Sequence, residues 1–224
     1  MEIWTIMDYG TYGGGGMPVA DGNLVFLNEY DNQIYSIGQG PTVMTVTASD
    51  IGVTTSTPVM IRGTVMDISA GTKQNEQAAR FPNGVPAVSD ASMSGWMEYV
   101  YMQKPKPTDI TGVPVSIDVI DSNGNYRNIG TTTSDSSGSF SLQWAPDIPG
   151  SYTVTARFAG SQSYYGSSAE TSFYATTPAA TPTSTALPAT SAADTYFVPA
   201  FVGLFVLIII VAVVQTLLMF RKRP

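Results

Sequence analysis

The chain has 224 residues, 43% hydrophobic and only 12% charged, and a formal charge of −7. It contains no cysteine and no histidine. Disulfides, thiolate chemistry, the usual general base, Ser-His-Asp and Cys-His arrangements and most zinc sites are therefore excluded. Arg221, Lys222 and Arg223 alone carry +3, which leaves −10 for the rest, a poor match for nucleic acid.

Residues 1–41 carry short apolar alternations separated by glycine. Asp21-Gly22 ends one run, and Tyr30-Asp31-Asn32 joins 24–28 to 33–37 as a hairpin would, with Leu24, Phe26 and Ile34 as strand residues. Gly13–Gly16 lacks the Gly-Lys-Ser/Thr that completes a phosphate loop and reads as a loop. The first ten residues have no basic region and no continuous apolar stretch, so they do not read as an export signal.

Residues 42–176 hold seven strand-like runs: 42–48, 58–68, 113–121, 126–134, 139–145, 151–160 and 170–175. The alternation is clearest at Val115, Ile117 and Val119, and at Tyr152, Val154, Ala156 and Phe158. Seven short strands with short turns indicate a mainly β fold, an immunoglobulin-like β-sandwich. A long insertion, 69–112, separates the second and third runs. Within it a short helix is expected, capped by Ser89 or Asp90, with Met93, Trp96, Met97 and Val100 on one face and a stop at 104–107. Trp96, Tyr99 and Tyr101 are candidate ligand contacts. Trp96 could form a sugar-binding platform with Trp144, Tyr164 and Tyr165, although packing is the commoner fate of aromatics. Asp121-Ser-Asn123-Gly124-Asn125 begins like a calcium loop but has Tyr126 where glycine and Thr132 where glutamate is required. It reads as a hairpin with a type I′ turn at Asn123-Gly124, and Asp135–Gly138 reads as another turn. No metal and no cofactor is expected.

Residues 177–195, rich in Pro, Thr, Ser and Ala, read as an extended stalk. Residues 196–220 contain no charge, with Gln215 and Thr216 as the clear polar interruptions, and are long enough to cross a bilayer. Tyr196 and Phe197 suit the outer headgroup region, and Pro199 would fall in the helix's first turn. Arg221, Lys222 and Arg223 follow Phe220, so the positive-inside bias places the tail, 221–224, in the cytoplasm and residues 1–195 outside. That topology requires export. The expectation is that the chain is the C-terminal part of a longer polypeptide, or that a signal has been removed.

Two resemblances add to this reading. Pro18–Phe26 and Tyr30–Gly38 resemble the last blade of a quinoprotein-like β-propeller of the pyrroloquinoline-quinone repeat family, over about 35 residues. That likeness implies a scaffold blade with radial neighbours; no quinone-contacting residue can be matched. Residues 113–175, through Gly150–Gly160, Tyr164-Tyr165 and the Ile129-Gly130 and Asp135–Phe140 turn pieces, resemble the immunoglobulin-like repeats of bacterial surface proteins. Such folds predict architecture well and ligand poorly. Leu187–Ser191 resembles a sortase sorting signal, but Ser191 occupies the required glycine position.

Together these readings give a membrane-anchored extracellular protein with no catalytic constellation, in which an immunoglobulin-like domain is a spacer and interaction module. Its expected partners are the lipid bilayer, further propeller blades of the same protein, and a surface glycan or protein, with no nucleic acid. The alternatives are the tail of a membrane-bound quinoprotein dehydrogenase and a carbohydrate-binding adhesin.

Overall fold

The computed structural model describes residues 18–49, 51–180 and 191–221. The chain divides into two compact units, Met1–Pro178 and Ala179–Pro224. The described part of the first is mainly β, with three antiparallel sheets.

The smallest sheet runs β1 (Val19–Ala20), β2 (Asn23–Asn28) and β3 (Gln33–Ile37), in that order. Asp21 (φ 50°) and Gly22 (φ 78°) both adopt positive φ between the paired Ala20 and Asn23, the geometry of a two-residue type I′ hairpin. At the second turn Asn28 Oδ1 accepts from Tyr30 N–H and Asp31 Oδ1 from Gln33 N–H. Phe26 stacks on Tyr35 with centroids 5.5 Å apart. Burial, then the 2.6 Å hydrogen bond that Tyr35 donates to Asp31, pushes the tyrosine pKa up to about 12. Both faces of this sheet are apolar. Strand alternation puts Val19, Leu24, Phe26, Tyr35 and Ile37 on one face and Val25, Leu27 and Ile34 on the other.

The seven long strands are β4 (Thr42–Thr47), β5 (Val59–Asp67), β7 (Pro114–Ile120), β8 (Tyr126–Thr133), β9 (Ser139–Trp144), β10 (Gly150–Phe158) and β11 (Ser167–Ala175); a two-residue β6 (Val85–Pro86) precedes β7. One sheet places β5 between β4 and β9, with β6 on the β9 side. The other has the order β11-β10-β7-β8. Their inward residues form one core. Met44, Val46, Ile61, Val65 and Phe140 come from the first sheet, and Val115, Ile117, Tyr152, Val154, Phe158 and Phe173 from the second. Burying each such aliphatic or aromatic side chain contributes about 1.5–3 kcal/mol. Gly63 takes an inward position where a Cβ would stand 2.7 Å from Phe140 Cζ and 1.9 Å from the Thr45 carbonyl oxygen. The missing side chain makes room for the Phe140 ring.

These strands coincide with the seven apolar alternations, except that β11 begins at Ser167 rather than 170. The turn at Asn123-Gly124 differs from expectation. Only Gly124 has positive φ (81°), and Gly124 N–H bonds the Asp121 carbonyl. Asp121 N–H bonds the Asn125 carbonyl and closes a three-residue loop with a left-handed glycine. Asp135–Ser139 repeats this arrangement with Gly138 at φ 79°.

The insertion folds as a 3-10 helix (Ala70–Lys73), α1 (Asn75–Arg80), β6 and α2 (Asp90–Tyr101). Of these only α2 was anticipated. Ser89 is its N-cap residue but makes no side-chain capping bond. Gly95, which weakens a helix by about 1 kcal/mol relative to alanine, faces Pro107; a Cβ there would lie 3.3 Å from Pro107 Cγ. The proline segment that follows α2 thus lies back over the helix.

The second unit is described from Ser191 and consists of α3 (Ala192–Arg221). It begins four residues before the expected start. Pro199 is therefore interior to the helix rather than in its first turn, and 192–195 are helical rather than stalk. Of the stalk, 181–190 lie outside the described residues, as do Leu187–Thr190 of the sorting-signal likeness, Gly13–Gly16, Lys222 and Arg223.

Candidate functional site

Helix α3 is the strongest functional feature. Its segment Thr195–Arg221 is 27 residues long and apolar, and none of its most apolar window is buried by protein. At about 1.5 Å per residue it exceeds the roughly 30 Å hydrocarbon core. Tyr196, Phe197, Phe201, Leu204, Ile208, Val211, Leu218 and Phe220 are all exposed, an apolar surface far larger than a soluble helix presents to water. Phe197, Phe201 and Phe205 follow one another along one face, with centroids 5.0 and 6.3 Å apart. Pro199 has no N–H to offer the carbonyl of Thr195, a defect that costs least near the polar end of a span. Thr216 folds its hydroxyl back onto the carbonyls of Ala212 (3.0 Å) and Val213 (2.8 Å). The helix thereby hides that polar group itself. Arg221 closes the last turn, where a cation complements the helix dipole.

The candidate ligand contacts Trp96, Tyr99 and Tyr101 fall in one small apolar cluster, with Tyr99 and Tyr101 half-buried against its core, whereas Trp144 and Tyr164 belong to the main core. Trp96 is 1% exposed, in a small core with Val85, Val88 and Val100, against Phe81 and Tyr99. Its ring lies 5.8 Å from Phe81 and 5.4 Å from Tyr99. A ring enclosed in this way holds the insertion together and is not a platform open to solvent. Tyr99 is half-buried, with the Arg80 guanidinium 4.6 Å from its ring centroid. That guanidinium also donates to the carbonyls of Val100 (2.9 Å) and Tyr99 (2.7 Å), and Gln77 donates to Val100. Arg80 thus supplies the positive charge that the last turn of α2 lacks in its own sequence. Trp144 belongs to the main core, edge-on to Tyr152 at 5.4 Å. Tyr164 is 2% exposed, whereas its neighbour Tyr165 is 49% exposed.

Two carboxylates fasten the insertion to the sheets. Asp90, the first residue of α2, directs its side chain away from its own helix. It accepts from Ser161 Oγ (2.8 Å), Gln162 N–H (3.0 Å) and Ser163 N–H (3.0 Å). Partial burial raises its pKa, but the bonds from Ser163, Ser161 and Gln162 outweigh this and the net shift is downward. Asp67, at the end of β5, is buried. It accepts from Ser69 N–H (2.8 Å) and Ser69 Oγ–H (2.5 Å). Burial dominates these bonds and pushes its pKa up. Tyr101 and Tyr164 are raised as well, first by burial and then by the charge of Asp67.

Sequence reading missed Arg80, Asp67 and the outward role of Asp90. The run 75–80 did carry one signal, the Glu76–Arg80 pair at helical spacing. The Asp121 carboxylate is committed to Asn123 N–H, Asn125 N–H and the Asn125 amide, so its oxygens are turned inward on the loop. Among the described residues no group of three or more His, Cys, Asp or Glu could hold a metal ion. No protein-family model and no curated protein matches the chain.

Proposed function

We propose that this chain is a single-pass membrane-anchored surface protein whose β-rich unit is displayed outside the cell as a spacer and interaction module. The carrying observation is α3, a 30-residue helix whose apolar side chains no part of the described chain covers. Arg221, Lys222 and Arg223 orient it with the C-terminus in the cytoplasm.

The two large sheets are proposed to be an immunoglobulin-like sandwich. Strand order supports this reading. Of the seven long strands, the first, second and fifth share one sheet; the third, fourth, sixth and seventh share the other. A tyrosine corner supports it further. The buried Tyr152 hydroxyl, at the start of β10, accepts from Ile148 N–H (3.1 Å). It also lies 3.0 Å from both Ile148 O and Asp147 Oδ1, to either of which it can donate. Such a domain is rigid and needs no disulfide here, which suits a spacer.

The small sheet is proposed to be a propeller-type blade that packs between other blades. Its apolar character on both faces supports this, because a sheet at a protein surface needs only one. The same feature keeps the quinoprotein reading as the second proposal, with any catalysis residing in other blades. A glycan platform built on Trp96 is not carried forward, since that ring is enclosed.

Alkaline carbonate extraction of membranes from cells expressing the full chain tests the anchor. The chain should stay with the lipid pellet, and removal of residues 192–224 should release it. Recovery of the full chain in the soluble fraction would refute the proposal.

A further inference from the structure

A strap of residues 38–41 joins β3 to β4 and is pinned from several sides. Gly40 N–H donates to the Ser163 carbonyl (2.9 Å), and the Gly40 carbonyl accepts from Tyr165 N–H (2.9 Å). The Pro41 carbonyl accepts from Ile68 N–H (3.0 Å), and the Gln39 amide donates to the Ser161 carbonyl (2.9 Å). Gly40 is closely enclosed: a Cβ there would lie 2.6 Å from Ser69 Oγ and 3.4 Å from the Tyr164 ring. Ser69 is in turn held by Asp67, which accepts from both its N–H and its hydroxyl. The strap therefore rests on a small polar cluster. Asp67 comes from the end of β5, Tyr164 from the 161–165 loop and Tyr101 from the end of α2. Asp67 is 5% and Tyr164 2% exposed, and the Tyr164 hydroxyl has no hydrogen-bond partner.

A carboxylate in this place has no countercharge. Its sheet neighbours Thr42 and Val85 are uncharged, and so is every residue of 38–41. Tyr101 and Tyr164 are the titratable groups that feel its charge, and burial keeps both neutral well above pH 8. Among the described residues the ion pairs are Glu76–Arg80 and Arg127–Asp147, so no cation meets Asp67. Asp90, which holds residues 161–163, is shifted downward and stays charged from pH 5 upward. We propose that Asp67 is the latch of a pH-dependent clasp on the strap 38–41, tight when its carboxyl is protonated and slackened when it is ionised. Ionisation leaves a charge where little water reaches, and that charge regains hydration only if Asp67, Ser69 and Tyr164 part. Gly40 is packed against the last two, so their parting frees the strap. Burial raises the carboxyl's pKa, which sets the sign. The full hold is present below the ordinary carboxylate pKa of about 4 and is lost as pH rises through the raised value. The attachment of the small sheet thus stiffens in acid.

The test is hydrogen-exchange mass spectrometry of the full chain in detergent micelles at pH 5 and pH 8. Fragmentation gives single-residue resolution, and rates are corrected for intrinsic exchange. The amides of Gly40, Ile68 and Tyr165 should lose protection about threefold or more at pH 8. They should also exchange faster than Val154 and Ala156 of β10, the mark of local opening. The turn amides of Gly124 and Gly138 should hold their protection, because the carboxylates of their turns, Asp121 and Asp135, are shifted downward and do not titrate in this range. Ser69 N–H is a poor reporter, since ionisation strengthens its own bond to the carboxylate. Asp67→Asn keeps an acceptor for Ser69 but cannot ionise, so the three strap amides should keep the parent's pH 5 protection at both pH values. Equal protection of the parent's strap amides at pH 5 and pH 8 would overturn the proposal. So would an equal loss at Gly124 and Gly138, strap exchange no faster than that of β10, or a pH effect that survives Asp67→Asn. Should that variant misfold, the parent's pH comparison decides alone.

Discussion

Single residues set the stability of the β-rich unit, and the sign of each pH effect follows from its environment. Tyr152→Phe removes a hydroxyl that accepts from Ile148 N–H, leaving that donor unpaired at the corner. The loss should be about 1–2 kcal/mol in denaturant unfolding, with the fold retained. Asp67 has a raised folded-state pKa, so its contribution is fully present below the ordinary carboxylate pKa of about 4. It is lost as pH rises through the raised value. Asp67→Asn should therefore gain stability relative to the parent between acid and neutral pH, and the gain should vanish in acid. Asp147 behaves oppositely. The paired guanidinium of Arg127 holds its carboxyl well below the usual range. Its contribution is present above about pH 4 and lost as pH falls through the lowered value, so Asp147→Asn should flatten the acid limb of the stability curve. Trp96→Ala should cost about 3–5 kcal/mol through the cavity it leaves. Trp96 was legible as one of four residues on a helical face. Its role was not, because an aromatic at helical spacing looks the same in sequence whether another element covers it or not, and the covering Phe81 follows a helix that the sequence reading did not anticipate.

At the scale of elements, legibility followed periodicity. The runs around Val115 and Tyr152 alternate because one face of each strand enters the core, and that period survives into sequence. The 3-10 helix and α1 are too short for a helical period to register, and their stability comes from contacts such as Arg80 with the carbonyl end of α2. The Asp121 turn was recognised as a turn, but its type depends on one backbone angle at Asn123 that composition does not determine. Of the two cap candidates, Ser89 holds the N-cap position; Asp90 is the first helical residue, and its carboxylate holds the 161–163 loop, 71 residues or more away in sequence. Asp90→Ala should accordingly speed amide exchange at Gln162 and Ser163 by tenfold or more, on the order of the 1.5–3 kcal/mol of a charged hydrogen bond before discounting for exposure. Cooperative unfolding of the sheets should change much less. Hydrogen-exchange mass spectrometry of the two proteins distinguishes these outcomes. Of α3, the apolar stretch is legible in the sequence and the N-terminal extension to Ala192 is not, since residues 192–195 are not part of the apolar run.

For the whole molecule we propose an oriented anchor, with the β-rich unit outside and the basic tail inside. The chain has four lysines, and their distribution makes orientation measurable. Lys73, Lys104 and Lys106 are exposed in the β-rich unit, and Lys222 follows α3. The most direct measurement is labelling of intact cells with a membrane-impermeant amine reagent, read by peptide mass spectrometry. Lys73, Lys104 and Lys106 should be modified, with Lys222 modified only after the cells are permeabilised. Modification of Lys222 in intact cells, with the other three protected, would contradict this orientation.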